Sequence, residues 1–243
     1  MESVRLGGMI DFTFADAKIW WQNQVQKMVE AGVDGWKLDD GEFLPLAARM
    51  HDGRSGAQVK SSYTKMYHQA VFEVMERTKR GDYAILPRAV GASNQKFMTS
   101  FWAGDQNADF DLQLGLPSVI IGAQTLGMCG FPVWTSDTGG YRQAPKPAVL
   151  ARWTQFSALN PLMIFGGKSY REPWHYPDEI ESIVRRYTQL HAELLPYIKR
   201  FVDAALKDGT PIIRPMFLEF PDDREAFKHE FQYMFGDDLL VAP

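Results

Sequence analysis

Short apolar runs alternate with longer segments of helical periodicity through most of this chain, and that alternation limits the fold more than any other feature. From Ala15 the segment ADAKIWWQNQVQKMVEAG places Trp21, Val25, Met28 and Val29 on one helical face, with Gly32 where a helix should stop. The run VDGWKLDD follows. A second helix is expected over 61–80, with Tyr63, Tyr67, Ala70, Val71, Val74 and Met75 on its inner face, and then the strand YAILPRAV. The short strand SFWAG, a helix over 118–128, the strand FPVWTS, a helix over 145–159 and the strand LMIFG continue the pattern. A helix between successive strands implies parallel strands, in either a doubly wound sheet or a (β/α)8 barrel. Asp39, Arg88, Asp105 and Asp137 each follow the C-terminal end of a strand candidate, where a barrel assembles its site, and no Gly-rich dinucleotide fingerprint follows the first strand.

Beyond LMIFGG, Pro177 and the acids Asp178, Glu179 and Glu181 open another helix, Pro196 should kink or break it, and Gly209 should end the segment that follows. The stretches PIIRPMFLEF and DDLLVAP read as strands around the turn-prone PDD. The expected class is therefore α/β. Residues 1–208 are read as the C-terminal portion of an incomplete TIM barrel, about the last five of its strands, and residues 209–243 as the beginning of a β-rich domain.

Composition removes several other classes. With 243 residues the chain buries a large core without covalent staples, and its single cysteine rules out an internal disulfide and any cysteine-based zinc module. The formal charge of −4, with no block of Lys and Arg, argues against nucleic acid or an anionic membrane as the main partner. The uncharged run from Leu112 to Ser136 is long enough to suggest a membrane span, but Pro117, Pro132, Gln113 and Gln124 divide it into a buried helix and a strand. The opening MESVRLGGMIDF shows no apolar leader core. The 13% aromatic content suits a carbohydrate cleft as well as a large core.

Three segments could carry chemistry. Asp39-Asp40-Gly41-Glu42 reads as a catalytic carboxylate at a strand end, an oxygen-rich metal site or a solvated loop. In Trp102-Ala103-Gly104-Asp105 the acid is a catalytic group or a helix cap. Arg88, at the tip of LPRAV, offers a planar fork of donors to sugar hydroxyls or to a carboxylate partner. The five histidines form no HExxH or other paired metal spacing, and no Gly-x-Ser-x-Gly elbow appears. Paired carboxylates with Trp and Arg around them point to acid/base work on a glycosidic bond.

The motifs DFT at 11–13, GWKLDDGE, FWAGD, WTSDTGGY, KSYREPW and QYMFGDDLLVAP, in this order, resemble the catalytic half of glycoside hydrolase family 31, the family of α-glucosidases, α-xylosidases and sulfoquinovosidases. The resemblance implies that Asp39 is the nucleophile and Asp105 the general acid/base. It implies that Arg88 binds sugar hydroxyls, that Trp102 walls the −1 subsite, and that Asp137 shapes the pocket floor. Lys37 stands where α-glucosidases carry Trp and is more like the α-xylosidase branch. Two positions depart from the pattern: Asp40 replaces Met or Phe, and Phe165 replaces a sugar-contacting histidine.

The implied reaction is hydrolysis of terminal α-glycosidic bonds by a retaining double displacement, with no metal or organic cofactor. An α-linked oligosaccharide or glycoside is the partner, and a homo-oligomer is compatible with the reading. The compartment stays open. A non-catalytic carbohydrate-binding remnant and a metal-dependent hydrolase using Asp39, Asp40 and Glu42 are the alternatives. Half a barrel leaves an open edge, so these 243 residues alone are expected to be poorly active.

Overall fold

A computed structural model of the chain describes residues 8–243, so the reading of the opening as leaderless falls partly outside the described residues. The chain divides into two compact units, Met1–Thr99 and Ser100–Pro243.

In the first unit, α1 (Ala15–Glu30) leads to β1 (Gly35–Leu38), and α2 (Gly56–Lys79) to β2 (Ala84–Pro87). The strands pair in parallel with Leu38 opposite Pro87, as a helix-linked crossover requires. Their shared core is Val25 and Val29 of α1, Leu38, Ile85, and Val71, Val74 and Met75 of α2. Each such side chain contributes roughly 1.5–3 kcal/mol on burial. Two details differ from the periodicity reading. Met28 is exposed, because the buried stripe of α1 is narrower than the apolar one. The second helix starts at Gly56 rather than Ser61, because Ser55 and Gln58 form a reciprocal capping box. Gly56 is required there, since a Cβ would lie 1.9 Å from the Pro45 carbonyl oxygen.

The second unit opens with β3 (Phe101–Trp102), α3 (Leu116–Met128), β4 (Trp134–Thr135) and α4 (Pro147–Ala158). β3 and β4 are parallel, and Asp137 forms a further parallel bridge with Ile164. The uncharged run thus becomes α3, with Pro117 in its first turn and Val119, Ile120 and Ala123 buried, followed by β4. No helix among the described residues is long and apolar enough to cross a membrane. Next come α5 (Asp178–Glu193), with its three acids in the first turn, and α6 (Leu195–Asp208), which starts afresh with Pro196 in its first turn and ends on Gly209 at φ 83°. Leu150 and Ala151 of α4 pack on Ile180 and Val184 of α5.

An antiparallel sheet closes the chain: β5 (Ile213–Pro215), α7 (Met216–Glu219), β6 (Tyr233–Phe235) and β7 (Leu239–Val241), in strand order β5-β6-β7. The expected strand PIIRPMFLEF is therefore half wrong. After Pro215 the backbone turns into the four-residue helix α7, where Met, Leu and Glu are good helix formers. LMIFG is likewise reduced to the single bridge at Ile164.

Candidate active site

In the first unit, the register that sets Leu38 beside Pro87 also sets the next residues, Asp39 and Arg88, side by side, and the Arg88 backbone N–H donates to the Leu38 carbonyl at 3.1 Å. Asp39 Oδ1 lies 3.2 Å from Arg88 Nε. Its Oδ2 lies 3.6 Å from Lys37 Nζ, which shares its side of the strand two residues back. The backbone N–H of Asp40 donates to Asp39 Oδ1 at 3.0 Å. Asp40 itself adopts φ 60°, a left-handed conformation that Asp tolerates better than most residues. Its carboxylate pairs with Arg88 Nη2, which also reaches Glu42 Oε1 at 2.8 Å. One guanidinium therefore serves three carboxylates, and the cation between them offsets the repulsion that two adjacent aspartates would otherwise exert.

Asp39 and Asp40 open on a cavity of about 330 Å³ lined by Phe12, Trp21, Tyr63 and Tyr67. Phe12 stacks on Tyr67 at 5.9 Å. Asp11 anchors this loop by accepting the Thr13 N–H at 2.9 Å and the His51 N–H at 2.6 Å. Partial burial opposes its charge, but the hydrogen bonds from Thr13 and His51 outweigh it and hold the carboxyl below its usual range. Burial pushes the Tyr67 phenol up to about 12, with the negative charges of Asp39 and Asp40 adding to the effect. The Tyr63 hydroxyl donates to the Ile10 carbonyl at 2.8 Å.

In the second unit, β3 delivers Trp102, and Gly104 at φ 93° turns the chain toward Asp105, which is half-buried. The Asp105 backbone carbonyl accepts from Arg142 Nε at 3.0 Å. β4 leads to Asp137, only 5% exposed, whose Oδ2 accepts the Trp102 indole N–H at 3.0 Å. Gly166 passes so close that a Cβ there would meet Asp137 Oδ1 at 2.6 Å. Arg171 is buried nearby and donates to the carbonyls of Gly140, Ser169 and Gln143; burial lowers its guanidinium's affinity for the proton, against the field of Asp137. Phe165 is 40% exposed and borders a separate cavity of about 590 Å³ with Trp174 and the Glu181–Arg185 ion pair.

Lys37, Asp39 and Arg88 thus converge in the first unit, and Trp102 and Asp137 in the second. Asp105 lies three residues beyond Trp102, and Phe165 is next to Gly166. Sequence reasoning did not foresee that Arg88 gathers Asp40 and Glu42. It placed Tyr63 and Tyr67 in a helix core without linking them to Asp39, and did not single out Arg171. Among the described residues no group of three or more His, Cys, Asp or Glu side chains is arranged to hold a metal ion.

The family model for the glycosyl hydrolases family 31 TIM-barrel domain matches residues 3–200, and that for the family's C-terminal domain matches residues 209–243. A sulfoquinovosidase of Escherichia coli is 35% identical over 98% of this chain and 36% of its own length. An α-xylosidase of Emericella nidulans is 31% identical over 97% of this chain and 30% of its own length. The solved structure of a family 31 sulfoquinovosidase from E. rectale, bound to an aza-sugar inhibitor, superposes with a TM-score of 0.90 at 30% identity, covering 97% of this chain and 37% of that one. The chain spans about a third of the length of the relatives it matches.

Proposed function

The chain belongs to glycoside hydrolase family 31, and on that premise we propose that it carries the carboxylates of an enzyme that hydrolyses terminal α-glycosidic bonds by a retaining double displacement. The observation that carries the reading is Asp39, the first residue beyond a parallel strand, its two oxygens set against Lys37 and Arg88. Such a carboxylate is oriented for attack on an anomeric carbon.

In the first step Asp39 forms a bond to that carbon while Asp105 gives its proton to the departing glycosidic oxygen. In the second, Asp105 takes a proton from water, which displaces Asp39 and releases the sugar with its original α configuration. A retaining pair works at a separation of about 5–5.5 Å. Trp102 would wall the sugar pocket, with its indole fixed by Asp137, and Lys37 would favour an α-xyloside over an α-glucoside. Phe165 supplies an apolar ring where an imidazole would donate a hydrogen bond, which changes the hydroxyls that can be paired. The same proposal takes residues 1–208 as the later part of a (β/α)8 barrel, comprising β1–β4 and the Ile164 segment, and 209–243 as the start of a β domain.

The test is a trapping experiment, because it needs a single turnover even where steady-state hydrolysis is slow. Incubated with an activated fluoro-α-glycosyl fluoride, the chain should gain one sugar on the peptide bearing Asp39, and Asp39→Ala should gain none. Any hydrolysis of an aryl α-glycoside should release the α-anomer first by NMR. A label on another residue, no label, or first release of the β-anomer overturns the proposal; binding of glycosides without labelling would favour a carbohydrate-binding role.

A further inference from the structure

The described lining of the cavity beside Asp39 carries negative charge only. Its charged lining residues are Asp39 and Asp40, 44% and 67% exposed at the side chain, and the rest of its wall is largely Phe12, Trp21, Tyr63 and Tyr67. Among the described residues no cation lines it. Arg88 is engaged by Asp39, Asp40 and Glu42, Lys37 faces Asp39, and Lys60 donates to the backbone carbonyls of Glu42 and Leu44. Aromatic faces with carboxylate acceptors suit a polyhydroxylated ring, whose C–H face packs on the former and whose hydroxyls donate to the latter. Among the described residues, a negative group on the same ring would meet two carboxylates and no cation lining the cavity.

We propose that Asp40 makes this an anion-excluding site: the glycone it takes is uncharged or cationic, and sulfonated or carboxylated sugars are rejected. The inference rests on the glycosidase reading above and adds the substrate class. It separates this chain from relatives named for sulfoquinovose, whose glycone carries a sulfonate. The left-handed backbone at Asp40 matters here, because it brings the second carboxylate to the cavity and to Arg88 together. Burial chiefly raises the Tyr67 phenol on the cavity wall, and the charges of Asp39 and Asp40 add to the rise.

Three ligands that differ only at C6 test it: methyl α-glucoside, methyl 6-amino-6-deoxy-α-glucoside and methyl α-sulfoquinovoside. Affinity is read on the 243-residue chain from the Trp21 indole NMR signal. The sulfonate should bind roughly tenfold or more weakly than the glucoside and the ammonium sugar at least as well, with the gap shrinking in high salt. Asp40→Asn keeps a residue that tolerates φ 60° and should narrow the glucoside-to-sulfonate ratio by roughly fivefold. A sulfonate that binds as well as the glucoside, or a ratio unmoved in Asp40→Asn, overturns the inference, as does failure of all three to bind. The Asp39 trapping experiment run on the same preparation distinguishes the cases: if Asp39 is labelled, the hydrolase reading stands and only the specificity claim falls.

Discussion

His68 is a buried base whose protonation should unfasten α2 from within. Its ring is completely buried, and Nδ1 is 2.9 Å from Asn94 Nδ2, also completely buried, so the amide donates and Nε2 carries the imidazole proton. Among the described residues Nε2 meets no hydrogen-bond partner. Burial drives the pKa from 6.5 down to about 4. The unfolded chain, with its imidazole near 6.5, therefore binds a proton that the folded chain refuses at every pH between the two values. Stability from this group is fully present above about pH 6.5 and declines as pH falls toward 4, where the folded imidazole also protonates. At roughly 1.4 kcal/mol for each pKa unit the whole window is worth about 3 kcal/mol, of which about 2 is gone by pH 5. The measurement is urea unfolding at several pH values between 7 and 5, on the wild type and on His68→Gln, whose amide oxygen can still accept from Asn94. The variant should start roughly 1 kcal/mol lower at neutral pH, through poorer packing and hydrogen bonding, and should lack about 2 kcal/mol of the acid loss. Equal acid losses in the two proteins would refute the reasoning. The consequence reaches the candidate site, since α2 also carries Tyr63 and Tyr67 beside Asp39.

Two further substitutions probe the scaffold. Gly166→Ala puts a Cβ 2.6 Å from Asp137 Oδ1, so the carboxylate must move and weaken its bond to the Trp102 indole; a loss on the order of 1–3 kcal/mol in urea unfolding, with a displaced Trp102 indole resonance, is expected. An unchanged resonance would count against the contact. Ser55→Ala removes half of the capping box of α2 and should cost about 1 kcal/mol, with faster amide exchange confined to its first turn.

Much of the candidate site was legible because parallel strands announce themselves as apolar runs and a functional rim as the first polar residues after them. Asp39 and Arg88 each stand one residue past their strands, Asp137 two past β4 and Asp105 three past β3, which is why all four read as rim residues. The convergence of Asp40, Glu42 and Arg88 was not legible, because it depends on one strand register bringing together Asp40 and Arg88, 48 residues apart. Tyr67 read as core for a related reason: helical periodicity identifies the inward face but not what that face meets. The early start of α2 was readable in principle, from Ser55 and Gln58 at capping-box spacing. PIIRPMFLEF misled because apolar content alone does not separate a strand from a short helix, and the backbone changes direction at Pro215.

The two carboxylates at the best-defined strand ends are held in opposite ways, and the contrast bears on how substitutions should be interpreted. Asp137 is buried, accepts the Trp102 indole N–H, lies in the field of Arg171 and has the bare backbone of Gly166 against it, so packing confines it closely. Asp39 is 44% exposed and set against two cations, so its geometry is set by charge. Exposed ion pairs are individually weak, yet a guanidinium shared among three acids couples them: among the described residues, withdrawing it leaves Asp39, Asp40 and Glu42 with only the Lys37 pair at Asp39. Loss of sugar affinity in an Arg88 variant is therefore no proof that Arg88 touches sugar. Displacement of Asp39 by its acidic neighbours would give the same loss, and charge-neutral replacement of Asp40 together with Arg88 would partly restore it only in the second case.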